Sequence, residues 1–220
     1  SQLGYMFVAA GLGAYWVALF HLAAHAFFKS VLFLGAGNVM HAMDDELDIR
    51  KMGGLHNKMK GTSIIMTIAS LALAGIFPLA GFFSKDKILE VAFNADAIVL
   101  WTILWITAGL TAFYSFRLVM KIFFGTQNYS NEEFHPHEAK NFVIAAMIPL
   151  AVLAVIAGWF EHSFIEFVTK ALPTWEANNI KHSTTWILIL ATSAMAIGGI
   201  LLAVFKYKKD GFSKSWEDTA

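Results

Sequence analysis

Long apolar segments separated by short polar ones dominate this chain, and their lengths predict helices that cross a membrane. Each of four segments is close to the roughly 20 apolar residues that a spanning helix needs; they are 15–40, 97–124, 141–160 and 184–205. Residues 3–12 are apolar too, and they predict the end of an earlier helix. We expect an all-α, polytopic bundle of transmembrane helices with about five complete spans.

A fifth apolar segment, residues 63–93, is too long for a simple span and carries Pro78 near its middle. Proline removes a backbone hydrogen bond and clashes with the preceding turn of a helix. In a bilayer, such a break is tolerated only inside the protein or against a water-filled cavity. We therefore expect one broken helix, whose second half begins near Phe82 and places Lys85 inside the protein. The alternative is that Lys85, Asp86 and Lys87 mark a helix end at the membrane surface.

Lysine and arginine are concentrated in the loop 41–62, at the end of the 97–124 segment and after residue 205. Because such residues mark cytoplasmic loops, we expect these regions on the cytoplasmic side. The segment that carries Lys29 then runs from outside to inside. Residues 161–183 contain few basic residues and a partly amphipathic pattern, and they predict a loop on the opposite membrane surface.

Other charged residues fall near the ends of predicted spans. Arg117 and Lys121 share one helix face and predict interfacial anchors. Glu161 and His162 follow the 141–160 span and also predict interfacial positions. We expect these four residues to contribute to placement in the bilayer.

Composition narrows the possible functions. The chain is 57% hydrophobic and 15% charged, with a net charge of zero, so it is typical of membrane proteins and nothing favours nucleic acid. It contains no cysteine, which excludes disulfides, thiolate-held iron–sulfur clusters and a cysteine nucleophile. We expect any redox chemistry to take place in other chains.

A column of ionisable residues lies in the first complete span. His21, His25 and Lys29 are four residues apart, which places them on one side of a helix, each about 6 Å from the next. A charge at this depth costs roughly 2.5–3.5 kcal/mol or more, and Lys29 is roughly 16 Å of helix from Met40, too deep to reach the interface easily. Because imidazole can pass a proton between its two nitrogens, the column predicts proton conduction.

Two other interpretations of this column remain. The three residues could form a structural polar network between helices. Histidines at positions i and i+4 can also bind zinc, although no third ligand lies close in sequence. We expect neither a metal site nor a cofactor-binding site in this chain.

Several motifs resemble a known family. They are HLAAHAFFKSVLFLGAGNVMH (21–41), DIRKMGGL (48–55), PLAGFFSKDKIL (78–89) and the opening SQLGYM. They resemble subunit L of bacterial NADH-quinone oxidoreductase, or respiratory complex I, and its mitochondrial counterpart, NADH dehydrogenase subunit 5. The motifs cover about residues 1–125, and beyond them the match is one of hydropathy and helix order.

The resemblance implies an antiporter-like fold of two inverted five-helix repeats, each with one broken helix. Residues 1–125 would be part of the second repeat, and residues 126–220 would be C-terminal transmembrane helices and a basic tail. The first repeat and the long lateral helix of the family are not evident, so we expect a fragment of a larger subunit.

The resemblance also assigns roles to individual residues. Lys85 matches the terminal proton-carrying lysine of the broken helix, and Asp86 matches its acidic neighbour. His21, His25 and Lys29 match the central hydrophilic axis. The expected site for proton translocation therefore consists of these five residues.

The function implied is proton translocation in the bacterial inner membrane, coupled to electron transfer from NADH to quinone elsewhere in the complex. NADH, FMN, iron–sulfur clusters and quinone would belong to partner subunits. The expected partners are other membrane subunits, including a neighbouring antiporter-like one, and the lipid bilayer. The alternatives are a subunit of a multisubunit sodium/proton antiporter or of a membrane-bound hydrogenase, a structural or assembly subunit, and, more distantly, a metal-dependent membrane enzyme.

Overall fold

The computed structural model describes residues 1–130, 132–172 and 182–207, and these parts of the chain are helical without any strand. The α-helices are α1 (Gln2–Gly11), α2 (Tyr15–Ala42), α3 (Lys60–Ala74), α4 (Ala80–Asn94), α5 (Ile98–Val119), α6 (Asn141–Ile156), α7 (Glu161–Val168) and α8 (His182–Tyr207). A π-helical turn, Met120–Phe124, extends α5. The predicted all-α fold is confirmed.

Four helical stretches are long and apolar enough to cross a membrane; they are Tyr15–Ala42, Ile98–Phe124, Asn141–Val168 and Ser183–Tyr207. Many large apolar side chains on their outer faces are exposed, as expected where lipid takes the place of water; Phe33, Val99, Leu190 and Phe205 are each exposed. Four of the predicted spans are confirmed by length and composition.

The segment after residue 160 differs from the sequence-based expectation. The predicted surface loop 161–183 begins instead as α7, which the short turn Ala157–Phe160 joins to α6. The turn begins eight residues after Pro149, which lies inside α6. Residues 173–181 of the predicted loop lie outside the described residues, as does the basic tail after Tyr207 with Lys208 and Lys209.

The predicted break in the fifth apolar segment is confirmed, with its second half starting slightly earlier than expected. Helix α3 ends at Ala74 because Gly75 adopts the left-handed conformation, with φ of +83°, the usual helix terminator. Pro78 follows, and α4 begins at Ala80 rather than near Phe82. Two short helices therefore replace one span. Of the residues between them, Gly75 is buried, whereas Phe77 and Pro78 are exposed.

Helix α2 is the centre of the bundle and packs against α1, α3, α4 and α6. Towards one end, its Val17 and Phe20 belong to a core cluster with Ile88 and Leu89 of α4. At its middle, Phe28 joins residues of α3 and α6. A third cluster surrounds Met43 and includes Met59 and Phe123. The face of α2 that carries the candidate residues is thus enclosed along much of its length.

The two long polar loops lie at the same end of the bundle, where the loop 125–140 closes the start of α3. The Glu138 carboxylate accepts hydrogen bonds from the backbone N–H of Gly61 at 2.6 Å and of Thr62 at 3.2 Å, and from the Thr62 hydroxyl at 2.7 Å. The first turn of α3 contains no acidic residue of its own. Glu138 therefore supplies the acceptor that a helix N-terminus needs.

We expect Glu138→Ala to lower the free energy of unfolding by about 1–2 kcal/mol, the usual cost of removing a helix N-cap. Unfolding of the purified protein in detergent, followed by circular dichroism, measures this change. Glu132→Ala is the matched control, because Glu132 lies in the same loop with an exposed side chain. An equal effect of both substitutions would contradict the capping role.

Candidate functional site

The three ionisable residues of α2 share one face, as their spacing predicts, but they differ in burial. The ring centroids of His21 and His25 are 6.3 Å apart. His21 is fully buried, whereas His25 and Lys29 are half-buried. The Lys29 ammonium lies 5.6 Å from the centroid of the Phe33 ring. The column thus runs from the protein interior at His21 to the edge of the described bundle at Lys29.

Both nitrogens of the His21 ring have polar partners. Nδ1 lies 2.9 Å from the Ser84 hydroxyl, and Nε2 lies 3.2 Å from the Gln2 side-chain oxygen. The Gln2 amide in turn donates to the Thr111 hydroxyl at 3.4 Å. Because a neutral imidazole ring donates from one nitrogen and accepts at the other, His21 can donate from Nε2 to the Gln2 oxygen and accept from the Ser84 hydroxyl at Nδ1.

Lys85 lies at the break between α3 and α4 and is almost completely buried, with 1% of its surface exposed. Its ammonium donates a hydrogen bond of 2.8 Å to the backbone carbonyl of Leu73. This carbonyl is available because α3 ends at Ala74, and the last four carbonyls of a helix have no partner within it. The expectation that Lys85 lies inside the protein is confirmed, and the alternative of a helix end at the membrane surface is wrong.

A buried tyrosine joins the lysine to the histidine column. Tyr5 is fully buried on α1, and its hydroxyl donates a hydrogen bond to the carbonyl of Leu104. The Lys85 ammonium lies 5.6 Å from the centroid of the Tyr5 ring, and the His21 ring lies 6.1 Å from it on a centroid basis. Ser84, the hydrogen-bonding partner of His21, directly precedes Lys85 in α4. His21 of one predicted group and Lys85 of the other are therefore brought together around Tyr5 and Ser84.

Sequence analysis had not singled out Gln2, Tyr5, Ser84 and Thr111. Three of them lie in motifs that supported the resemblance, since Gln2 and Tyr5 belong to SQLGYM and Ser84 to GFFSKD. Thr111 is one of three threonines in the mainly apolar 97–124 span, and nothing in its sequence context distinguishes it from the other two.

The side chains of Asp86 and Lys85 lie on different faces of α4. Asp86 lines a cavity with Lys87, Glu90 and Glu161. The carboxylate of Glu161 lies 3.9 Å from the Lys87 ammonium in this cavity, and its interfacial position stays a prediction. Within the described ranges, no three His, Asp or Glu side chains are grouped as a metal site requires.

Arg117 and Lys121 lie apart from this site. The guanidinium of Arg117 is 5.8 Å and the ammonium of Lys121 is 5.4 Å from the centroid of the Tyr207 ring. They tie the end of α5 to the end of α8 near the polar loops, away from the break that holds Lys85.

Comparison with known proteins supports the resemblance. Residues 1–111 match the family described as NADH:quinone oxidoreductase/Mrp antiporter, transmembrane. The chain is 56% identical to NADH-quinone oxidoreductase subunit L of Campylobacter jejuni, over 99% of this chain and 35% of that protein. It is 46% identical to subunit L of Rhodobacter capsulatus, over 74% of this chain and 25% of that protein.

A eukaryotic protein is also similar. The NADH-ubiquinone oxidoreductase chain 5 of Cryptococcus neoformans is 44% identical, over 79% of this chain and 27% of that protein. The chain thus spans between a quarter and about a third of the length of these curated relatives. The resemblance to subunit L and chain 5 is confirmed.

The close approach of α3 and α4 at the break depends on Gly81. A Cβ atom at this position would overlap the backbone carbonyl oxygen of Ala72, one residue before the carbonyl that binds Lys85. We expect Gly81→Ala to lower the free energy of unfolding by about 1–3 kcal/mol, the usual cost of overpacking a core. Thermal unfolding in detergent measures this effect.

Gly37→Ala is the matched control for this substitution. Gly37 lies inside α2, and a Cβ atom there would meet no atom within 4 Å. A Gly81→Ala variant as stable as Gly37→Ala would show that the two half-helices do not need this close contact.

Proposed function

This chain belongs to the NADH:quinone oxidoreductase/Mrp antiporter transmembrane family, and on that premise we propose that it carries protons as part of a respiratory complex I subunit. One observation carries the proposal. A fully buried lysine, Lys85, binds a helix-end carbonyl at the break between α3 and α4 and adjoins the hydrogen-bonded pair of Ser84 and His21. A buried ammonium that has one polar partner and an imidazole relay beside it is suited to gaining and losing a proton.

In this proposal, five residues translocate the proton. Lys29, His25 and His21 supply it along α2, and Lys85 passes it towards the outer side, with Asp86 as the next acceptor. The ring distance between His21 and His25 is 6.3 Å, which is longer than a hydrogen bond, so water or a side-chain rotation completes that step.

The redox chemistry belongs to other chains of the complex. NADH, FMN, the iron–sulfur clusters and quinone would be bound by partner subunits, and this chain would use the energy that their reaction releases. We propose a multi-pass position in a bacterial inner membrane, beside a neighbouring antiporter-like subunit. This assignment is supported by two bacterial relatives that are named as subunit L of NADH-quinone oxidoreductase.

We also propose the division of the chain that the motifs suggest. Residues 1–125 would form part of the second antiporter-like repeat, with the histidine and lysine column and the broken helix. Residues 126–220 would form the C-terminal transmembrane helices and the basic tail.

A second candidate function is ion exchange independent of NADH, as in a sodium/proton antiporter, because the family description includes the Mrp antiporters. A subunit of a membrane-bound hydrogenase is a further alternative of the same type. Sodium-dependent proton movement in vesicles without NADH would favour the antiporter. The similar proteins are named as subunits or chains of NADH- or NAD(P)H-dependent quinone or ubiquinone oxidoreductases. These names favour complex I.

The proposed role of Lys85 is tested in the full-length subunit within the assembled complex. We expect Lys85→Ala, and Lys85→Met with a side chain of similar length, to slow proton transfer through this subunit by at least about 100-fold, the scale at which positioned acid–base groups act. The measurement is the number of protons pumped per NADH oxidised in membrane vesicles, with assembly quantified separately.

Lys58→Ala serves as the control for this substitution, because Lys58 lies exposed in the loop before α3. Normal pumping by both Lys85 variants in normally assembled complex would overturn the proposed function and leave Lys85 a structural residue.

Lys29 distinguishes proton supply from a structural role. Its ammonium contacts the Phe33 ring and its side chain is half-buried, so Lys29→Met keeps the apolar part of the side chain and removes only the charge. We expect lower pumping per NADH at unchanged assembly. A structural or assembly subunit would instead show fewer assembled complexes that each pump normally, and the exposed Lys140 provides the control substitution Lys140→Met.

A further inference from the structure

Helix α4 presents charged side chains to a cavity on a face that does not include Lys85. The cavity has a volume of about 100 Å³ and lies between α4, the start of α7 and the first half of α8. Its polar and charged lining consists of Asp86, Lys87, Glu90, Glu161, Thr185 and Thr192. Such a space is large enough for several water molecules beside these groups.

Lys87 joins two of the carboxylates across the cavity. Its ammonium lies 3.0 Å from a carboxylate oxygen of Glu90 and 3.9 Å from one of Glu161. Between 21% and 33% of each of these side chains is exposed, so water reaches them from the cavity. With Asp86, three carboxylates face one ammonium in the same space. A half-buried site with such a surplus of negative charge attracts protons.

Asp86 belongs to this cluster and directly follows Lys85 in the chain. One of its oxygens, Oδ2, is buried and has no hydrogen-bond partner in the part of the chain that the structure describes. Buried polar atoms are nearly always paired, so an unpaired acceptor next to Lys85 in the chain is a place where a transferred proton can be received.

The cavity lies at the end of the bundle away from the loop that caps α3. Its α8 residues, Thr185 to Thr192, belong to the first part of that helix, whereas Lys206 and Tyr207 at the other end of α8 lie near Arg117 and Lys121. If the basic loops are cytoplasmic, as their charge predicts, the cavity faces the outer side.

We propose that Glu90 and Glu161, held together by Lys87, are the outer proton-release group of Lys85. The ammonium of Lys85 gives a proton to a water molecule, which passes one on to the carboxylate of Asp86, so an N–H bond breaks and an O–H bond forms. Asp86 passes the proton to Glu90 or Glu161, and water in the cavity removes it. Lys85, then neutral, takes its next proton from the side of Ser84 and His21. This inference rests on the proposed function and adds the route by which the proton leaves the protein.

The experiment uses the full-length subunit in the assembled complex and two double variants. Glu90→Gln with Glu161→Gln keeps an oxygen that can accept a hydrogen bond from Lys87 but removes both carboxylates. Glu90→Asp with Glu161→Asp keeps the carboxylates at shorter reach. Protons released per NADH oxidised are measured in inverted vesicles with a trapped pH indicator, and assembly is measured as the amount of complex and its NADH oxidation by a water-soluble acceptor.

We expect the double glutamine variant to lose as much proton release as Lys85→Ala, while the double aspartate variant keeps most of it. Each single glutamine variant should retain part of the release, because either carboxylate can serve. Glu166→Gln is the matched control, since Glu166 lies exposed on the same short helix as Glu161 and does not line the cavity.

Three results would overturn the inference. The double glutamine variant could release protons normally while Lys85→Ala releases none. That result would reject the exit through Glu90 and Glu161, but it would not contradict the proposed function. Equal losses in the glutamine and aspartate variants would show that the cluster only holds α4 against α7. Normal release by Lys85→Ala would reject the proposed function and the exit with it.

Discussion

The hydrogen bond between the Lys85 ammonium and the Leu73 carbonyl is the interaction on which the site depends. Each partner alone would be costly in the bilayer, because an unpaired carbonyl costs several kcal/mol and a buried ammonium costs at least as much. Breaking the helix frees the carbonyl, and the second half-helix brings the lysine to it. The break and the buried charge therefore require each other, and neither is an isolated irregularity of the fold.

Small residues make this pairing possible. Gly75 ends α3 in a backbone conformation that side chains rarely adopt, and Gly81 lets α4 approach the last turn of α3. Tyr5 then covers the ammonium from α1, with its own hydroxyl bound to the Leu104 carbonyl. Three helices thus surround one side chain, which excludes lipid from it and leaves Ser84 and His21 as its polar neighbours on one side.

Much of this arrangement could be predicted from the sequence, because its signals are local. A proline within an apolar segment predicts a break, and a spacing of four residues predicts one helix face for His21, His25 and Lys29. The gradient of burial along that face could not be predicted, since it depends on how far α1 and α4 extend beside α2. The contact between Glu161 and Lys87 could not be predicted either, because the two residues lie far apart in sequence.

Helix α3 has a charged side chain at each end, and these charges act on the helix dipole. The carboxylate of Glu138 lies at its N-terminus and the ammonium of Lys85 at its C-terminus, so both ends of the helix dipole are compensated. The 15 residues of α3 separate the two charges by roughly 22 Å. Under the proposed function, a proton that left Lys85 would leave the carbonyl end of α3 uncompensated. That end would then favour the return of a positive charge to the break, so the loss of one proton would prepare the arrival of the next.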